Sequence, residues 1–330
     1  MPTEEHLRHV DEDAVIQDTL MATLGDAGRQ PDEGLAPALE RRAREMRAHE
    51  PAARHRKRPL TSANLNTLPL SDDGAPLVSV QSPEVSLSDL VFSKENEQIL
   101  REIVEEYRQK SLLAAHGVSP RRRLLLAGPS GTGKTKTAEA LARNLGIPLV
   151  KVKLSAVVSS YLGQTARHID RILSFASRGE WVLSFDEIDM LASDRGGSDN
   201  DEIRRVVTVL LQEMEEYAAD NLVVATTNHG ELLDDALWRR FDEILVYKNP
   251  TQEQIAALLK IKIRRVKSKV NREQAARSLS GMSHAQIELV CQDAMRKLII
   301  SHAEYLTTAD LVASAQARRK RLREAGQVAD

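Results

Sequence analysis

Residues 124–145 set the terms for everything else in this 330-residue chain. An apolar run from Leu124 to Ala127 leads into Gly128, Pro129, Ser130, Gly131, Thr132, Gly133, Lys134 and Thr135, and a helical pattern from Thr137 to Leu145 follows. This is the spacing G-x-x-x-x-G-K-S/T in the strand–loop–helix context that gives it meaning. Glycine lets the backbone fold tightly enough for successive N–H groups to point inward at phosphate oxygens, and the positive end of the following helix adds to the same site. Lys134 is then placed to reach the β- and γ-phosphates of a nucleotide, and the Thr135 hydroxyl to bind Mg²⁺. Gly128 to Lys136 are the candidate nucleotide-binding residues.

Two further segments carry chemistry that belongs beside such a loop. Val182-Leu-Ser-Phe-Asp186-Glu187 is an apolar strand that ends in two adjacent carboxylates. Asp186 suits Mg²⁺, directly or through water, and Glu187 suits the polarisation of a water for in-line attack on the γ-phosphate. Ala225-Thr-Thr-Asn228 is a polar tip on another apolar run. Asn228 there is placed to hydrogen-bond the γ-phosphate or the lytic water.

The pattern of the chain supplies the fold. Apolar runs at 124–127, 149–154, 181–186, 222–226 and 243–247 read as five strands with helical patterns between them. Strands alternating with helices predict an α/β fold with a doubly wound parallel sheet, here placed at residues 86–250. A helical pattern from about Ser93 to Ala115 precedes the phosphate loop. After Pro250 the strands stop, and residues 251–330 read as a small helical domain. Residues 1–85 differ: two charged helical patterns, a basic cluster at Arg54-His-Arg-Lys-Arg58, and a Pro/Ser/Asn/Asp-rich stretch from Pro59 to Pro83 that reads as a flexible linker. The basic cluster is either a contact for nucleic acid or an acidic partner, or a solvated charge run.

Composition narrows the class. Aromatics make up 3% of a chain that is 42% hydrophobic, so the core is expected to be Leu, Ile, Val and Ala. A net charge of −2 provides no global basic field for nucleic acid. Cys291 is the only cysteine, which excludes an internal disulfide and fits a reducing compartment. The acidic N-terminus lacks the apolar stretch of a signal peptide, and no run approaches the ~18 apolar residues of a membrane span. A soluble, cytoplasmic protein with no membrane partner is the expectation.

The ordered elements resemble those of AAA+ ATPases, and in finer features the AAA subfamily proper, which includes katanin/spastin-like severing enzymes, AAA proteases and proteasomal ATPases. Gly117 to Thr135 is similar to the family's entry into its first motif, Phe185 to Leu191 to its second, and Thr226-Thr-Asn228 to its sensor 1 position. Asp235-Ala-Leu-Trp-Arg239-Arg240-Phe-Asp242 resembles the segment whose arginines act on a neighbouring subunit's nucleotide. Ser280 to Ile287 resembles the start of a lid helix whose backbone lies near the adenine, which nominates Ala285. The resemblance covers about residues 86–315. It implies ATP and Mg²⁺ as cofactors and a homo-oligomer, a hexamer. It departs from the family where Arg239 and Arg240 are adjacent instead of separated by a Gly-containing spacer, and where His284 and Gln286 stand in place of Gly and Asp.

Tyr161, Leu162 and Gly163 resemble the aromatic–hydrophobic–glycine pore loop of ring-shaped unfoldases. An aromatic on a mobile loop grips extended polypeptide without reading its sequence, and glycine supplies the hinge. Gly196–Glu202 reads as a second flexible loop, and Arg204 and Arg205 resemble paired arginines near a subunit interface. The implied function is a protein-remodelling ATPase acting on a polypeptide client or adaptor. The alternatives are a nucleic-acid-associated ATPase, supported only by Arg54–Arg58 and Arg318–Arg323, and a nucleotide-switched scaffold. No H-E-x-x-H is present, so coupled proteolysis requires a separate protease chain.

Overall fold

In the computed structural model, residues 68–157, 162–189, 213, 221–229 and 238–324 are described, and all fall within one unit, Lys57–Asp330. The chain runs through β1 (Val78–Gln81), α1 (Lys94–Arg108), α2 (Lys110–Ala115), β2 (Arg123–Ala127), α3 (Lys134–Leu145), β3 (Leu149–Val152), α4 (Leu154–Val157), α5 (Leu162–Ala176) and β4 (Val182–Phe185). It continues through β5 (Leu222–Thr227), β6 (Glu243–Val246), α6 (Gln252–Lys262), β7 (Ser268–Lys269), α7 (Arg272–Ser278), α8 (His284–Ile300), β8 (Leu306–Thr307) and α9 (Thr308–Glu324).

Six strands form one sheet in the order β1-β3-β4-β5-β2-β6. The five expected strands are parallel. The sixth, β1, pairs antiparallel with β3, Val78 opposite Val152, and arises inside the stretch read as linker. Four residues bounded by prolines carry little local pattern; pairing with a distant edge makes them a strand.

β2 explains the two-sided core. Leu124, Leu125 and Leu126 are fully buried, as expected of a strand covered on both faces. Leu125 packs with Phe185, Trp181 and α5 on one face, and Leu124 and Leu126 pack with α1, α3 and Tyr247 on the other. The Phe175–Trp181 rings stack with centroids 5.2 Å apart in an otherwise largely aliphatic interior.

Local signals account for the helices, and the structure makes three corrections. Ser93 caps α1 by accepting from Asn96 N, and Leu100, Ile103, Val104 and Tyr107 form its buried stripe. The single helix expected to Ala115 breaks at Gln109. Leu154, read as strand, opens the short helix α4. After Pro250 two short strands persist, because β7 and β8 pair in parallel between helices. The helices α6 to α9 bury their own core around Ile255, Leu259, Ile287, Val290 and Leu311, with Cys291 inside it.

Candidate nucleotide-binding and catalytic site

Parallel strands bring their C-terminal ends together, and a ligand crevice opens where strand order reverses. Here that point is β2, which lies between β5 and β6 while its own chain continues to β3 beyond β5 and β4. The phosphate loop, Asp186-Glu187 and Asn228 follow β2, β4 and β5 at this edge.

The loop is clamped from two sides. Gly128 has φ 146°, and a Cβ there would stand 2.2 Å from the Tyr247 carbonyl oxygen. Tyr247, the residue after β6, donates its N–H to Ala127 O at 2.7 Å and its hydroxyl to Thr137 Oγ1 at 2.8 Å. Thr137 Oγ1 donates in turn to Gly133 O at 3.0 Å. On the other side, a Cβ at Gly131 would lie 2.7 Å from Ser283 Oγ and 3.2 Å from Ala285 Cβ. Ala285 N donates to Gly131 O at 3.0 Å, so the first turn of α8 sits on the loop. Gln286, one of the departures from the family pattern, closes a capping box with Ser283 at this helix start.

Lys134 is only 5% exposed. Its Nζ donates to Gly128 O at 2.6 Å, Pro129 O at 2.9 Å and Asn228 Oδ1 at 2.8 Å. Burial lowers its pKa, against the opposing pull of Asp189, Asp186 and Glu187. Thr135 Oγ1 donates to Asp186 Oδ1 at 2.9 Å. Two hard oxygens from loop and strand fit Mg²⁺, which takes one or two protein ligands and completes its shell from water and phosphate. Asn228 Nδ2 donates to Glu187 Oε1 at 3.3 Å, so Asn228 bridges Lys134 and Glu187.

Two residues organise these groups without having been singled out from sequence. Thr226 Oγ1 donates to Asp186 Oδ1 at 2.6 Å and accepts from Glu187 N at 2.8 Å. Glu187 has φ 55°, a left-handed conformation costly outside glycine, and this bond helps hold it there. Asp189 Oδ1 accepts from Asn228 N at 3.0 Å. The signal for Thr226 is a hydroxyl near the end of a buried strand, two residues before Asn228 and so on the same face, while Thr227 alternates to the other.

A cavity adjoins the loop. Leu90, Val91 and Phe92 line one side, Ser130 to Lys136 the floor, and Leu258, His284 and Ala285 the helical side. Glu187 and Asn228 reach it as well. Lys136 also pairs with Glu139 at 2.9 Å.

Arg239 and Arg240 stand apart. They occupy the turn before β6, Arg239 exposed and Arg240 half-buried, and neither lines the cavity. Asp242 N donates to Arg123 O at 2.8 Å, which puts this turn at the N-terminal end of β2. Five strand residues, about 16 Å at ~3.3 Å each, separate it from the loop. Leu162 and Gly163, expected in a loop, belong to the first turn of α5. Tyr161, Gly196–Glu202, Arg204, Arg205 and Arg54–Arg58 lie outside the described residues.

Residues 124–249 match the family described as ATPase family associated with various cellular activities (AAA). The chain is 36% identical over 286 residues to an uncharacterized AAA family ATPase of Sinorhizobium fredii, covering 86% of each. This chain belongs to the AAA family of ATPases. It binds nucleotide and hydrolyses ATP, on a P-loop α/β fold. It is also 33% identical over 260 residues to a proteasome-activating nucleotidase of Archaeoglobus fulgidus and 30% identical over 245 residues to the ATP-dependent zinc metalloprotease FtsH 3 of Phytoplasma mali. The matches cover 74% and 71% of this AAA ATPase, but 65% and 41% of those relatives. Among the described residues no helix is long and apolar enough to cross a membrane.

Proposed function

We propose that this ATPase works as a ring, each nucleotide site completed by an arginine of the neighbouring subunit, and that the ring does mechanical work on polypeptide. The observation that carries the reading is the placing of Arg239 and Arg240 at the strand end opposite the phosphate loop. From about 16 Å away they do not serve their own subunit's γ-phosphate. A ring brings one subunit's turn to the next subunit's loop, and a hexamer is what the family resemblance implies.

Within one site the roles divide by chemistry. The loop amides and Lys134 take the phosphates, after Lys134 exchanges its carbonyl partners for phosphate oxygens. Thr135 and Asp186 would hold Mg²⁺, which would supply positive charge against that developing on the phosphates. Glu187 takes a proton from the attacking water. Asn228, already bonded to Glu187 and Lys134, aligns that water with the γ-phosphate. Ala285 and the helices α6 to α9 act as a lid against the base.

Work on polypeptide is supported by relatives whose names join this ATPase type to the proteasome and to a protease, and by the Tyr161-Leu162-Gly163 pattern. The nucleic-acid alternative loses ground. Arg319 donates to Ser280 O at 2.9 Å, and Arg321 Nη2 bonds Asp293 Oδ2 at 3.2 Å, so half of that basic run's guanidiniums on these positions serve packing of α9. The test is a Glu187→Gln chain, expected to bind ATP, to lose hydrolysis by ~10²–10⁴-fold, and to retain an unfolded protein such as casein in an ATP-dependent complex. Retention of double-stranded DNA instead of casein would favour the nucleic-acid reading. Normal turnover would remove Glu187 from the catalytic role.

A further inference from the structure

We propose that His284 reads the nucleotide base, one imidazole nitrogen accepting a hydrogen bond from the 6-amino group of adenine. This rests on the cavity beside the phosphate loop being the nucleotide site. His284 is the first residue of α8 and lines that cavity next to Ala285, whose N–H is bonded to the loop itself. Both ring nitrogens are buried, and neither has a hydrogen-bond partner. Buried polar atoms are nearly always paired, and one left unpaired costs about 1–3 kcal/mol. A residue with two such atoms on a cavity wall is therefore matched to a ligand with polar atoms of its own.

The surroundings decide which group is matched. Burial pushes the imidazole pKa down, and the nearby Lys262 ammonium acts in the same direction. The ring is thus neutral at neutral pH, with one N–H and one bare acceptor. The Val91 carbonyl approaches the ring closely enough to attract its N–H, though short of hydrogen-bond geometry. That leaves the acceptor nitrogen for the ligand. The charges on the same wall are already engaged with each other, Lys262 Nζ lying 2.9 Å from Glu288 Oε1 across α6 and α8. An acceptor in an apolar wall of Leu90, Val91 and Leu258 favours a base that presents a donor. Adenine does so with its 6-amino group. A 6-oxo purine presents a lone pair at the same place, and unsubstituted purine presents nothing.

The test compares equilibrium binding of ATP, purine riboside triphosphate and ITP to the full chain at pH 7.5. The parent is expected to prefer ATP over purine riboside triphosphate by about tenfold, and over ITP by at least as much. His284→Phe fills the same space without polar atoms. It should bring the three affinities within about twofold, with binding of purine riboside triphosphate unchanged. His284→Ala, which removes the ring without adding bulk, should flatten the series in the same way and serves if the Phe variant fails to fold. Equal binding of all three by the parent overturns the proposal without any variant. A full ATP preference in a folded His284→Phe or His284→Ala chain overturns it too. Failure of the nucleotide-site reading looks different: a Lys134→Ala chain would then bind ATP as tightly as the parent does.

Discussion

The same strands carry charge at both ends, and the two ends treat it in opposite ways. At the N-terminal ends of β2 and β6, charges close on one another. Arg121 meets Glu243 at 2.7 Å and Glu102 at 3.0 Å as well as Glu106, and Arg123 meets Asp242 at 2.7 Å. Glu106, ahead of Glu243 and Glu102, drives the Arg121 pKa upward against burial. At the C-terminal ends Lys134, the one buried Lys or Arg among the described residues, is bonded to two carbonyls and an amide oxygen, while Asp186 and Glu187 receive hydroxyl and amide donors. A charge paired with a charge is a finished structural contact. A buried ammonium held only by neutral oxygens can be drawn off by a phosphate, since charge-assisted bonds are roughly twice as strong as neutral ones. The first end fixes the strands, and the second is built for exchange.

The sharpest way to break this contrast is through Arg240, which lies at the closed end but is assigned to the open end of another subunit. Arg240→Ala should leave ATP binding intact and lower turnover by ~10³-fold or more. Mixing it with Lys134→Ala subunits should restore part of the activity, because a mixed interface joins an intact loop to an intact arginine. No recovery at any ratio, in mixed assemblies verified by mass, would confine the arginine to a structural role at the closed end.

Thr226 tests whether the open end depends on neutral hydroxyl donors. Thr226→Val keeps the shape and removes the bonds to Asp186 Oδ1 and Glu187 N. Single-turnover hydrolysis should slow by about 10–100-fold with ATP affinity within a few-fold of the parent. An unchanged rate would mean that Asp186 and Glu187 hold their positions unaided.

The smallest effect belongs to the closed end and appears in stability. Burial pushes the Asp242 carboxyl up, but the Arg123 guanidinium and the Arg122 and Arg123 amides outweigh it and hold it below the usual carboxylate range. A carboxylate with a depressed folded pKa contributes stability above its unfolded value, about 3.9, and loses it as pH falls through the folded value. Asp242→Asn should therefore cost about 1–2 kcal/mol in urea unfolding at pH 7, and the gap to the parent should close progressively below about pH 4. A gap independent of pH would assign the loss to geometry and not to the charge.

The parallel strands and the three site segments were legible because each is a local pattern: an apolar run, then a loop or acid pair whose function depends on neighbours in the chain. What escaped detection was non-local. Val78–Gln81 becomes a strand through β3, some seventy residues on. Thr226 matters because β5 lies beside β4, which brings its hydroxyl to Asp186 and Glu187. The Gln109 break and the β7–β8 pair depend on packing that no 3.6-residue period reports.

By itself, then, the amino-acid order determined that this chain has a phosphate loop between strand and helix, an acid pair after another strand, and one polar tip, because backbone periodicity and residue chemistry are written locally. Only the tertiary structure decided that Lys134, Asn228 and Glu187 form one connected set, that Arg239 and Arg240 stand at the far end of β2, and that the neutral His284 ring faces the cavity unpaired. Those facts depend on strand order and on where α8 docks, which follow from burial across the whole sheet and not from any one stretch of sequence.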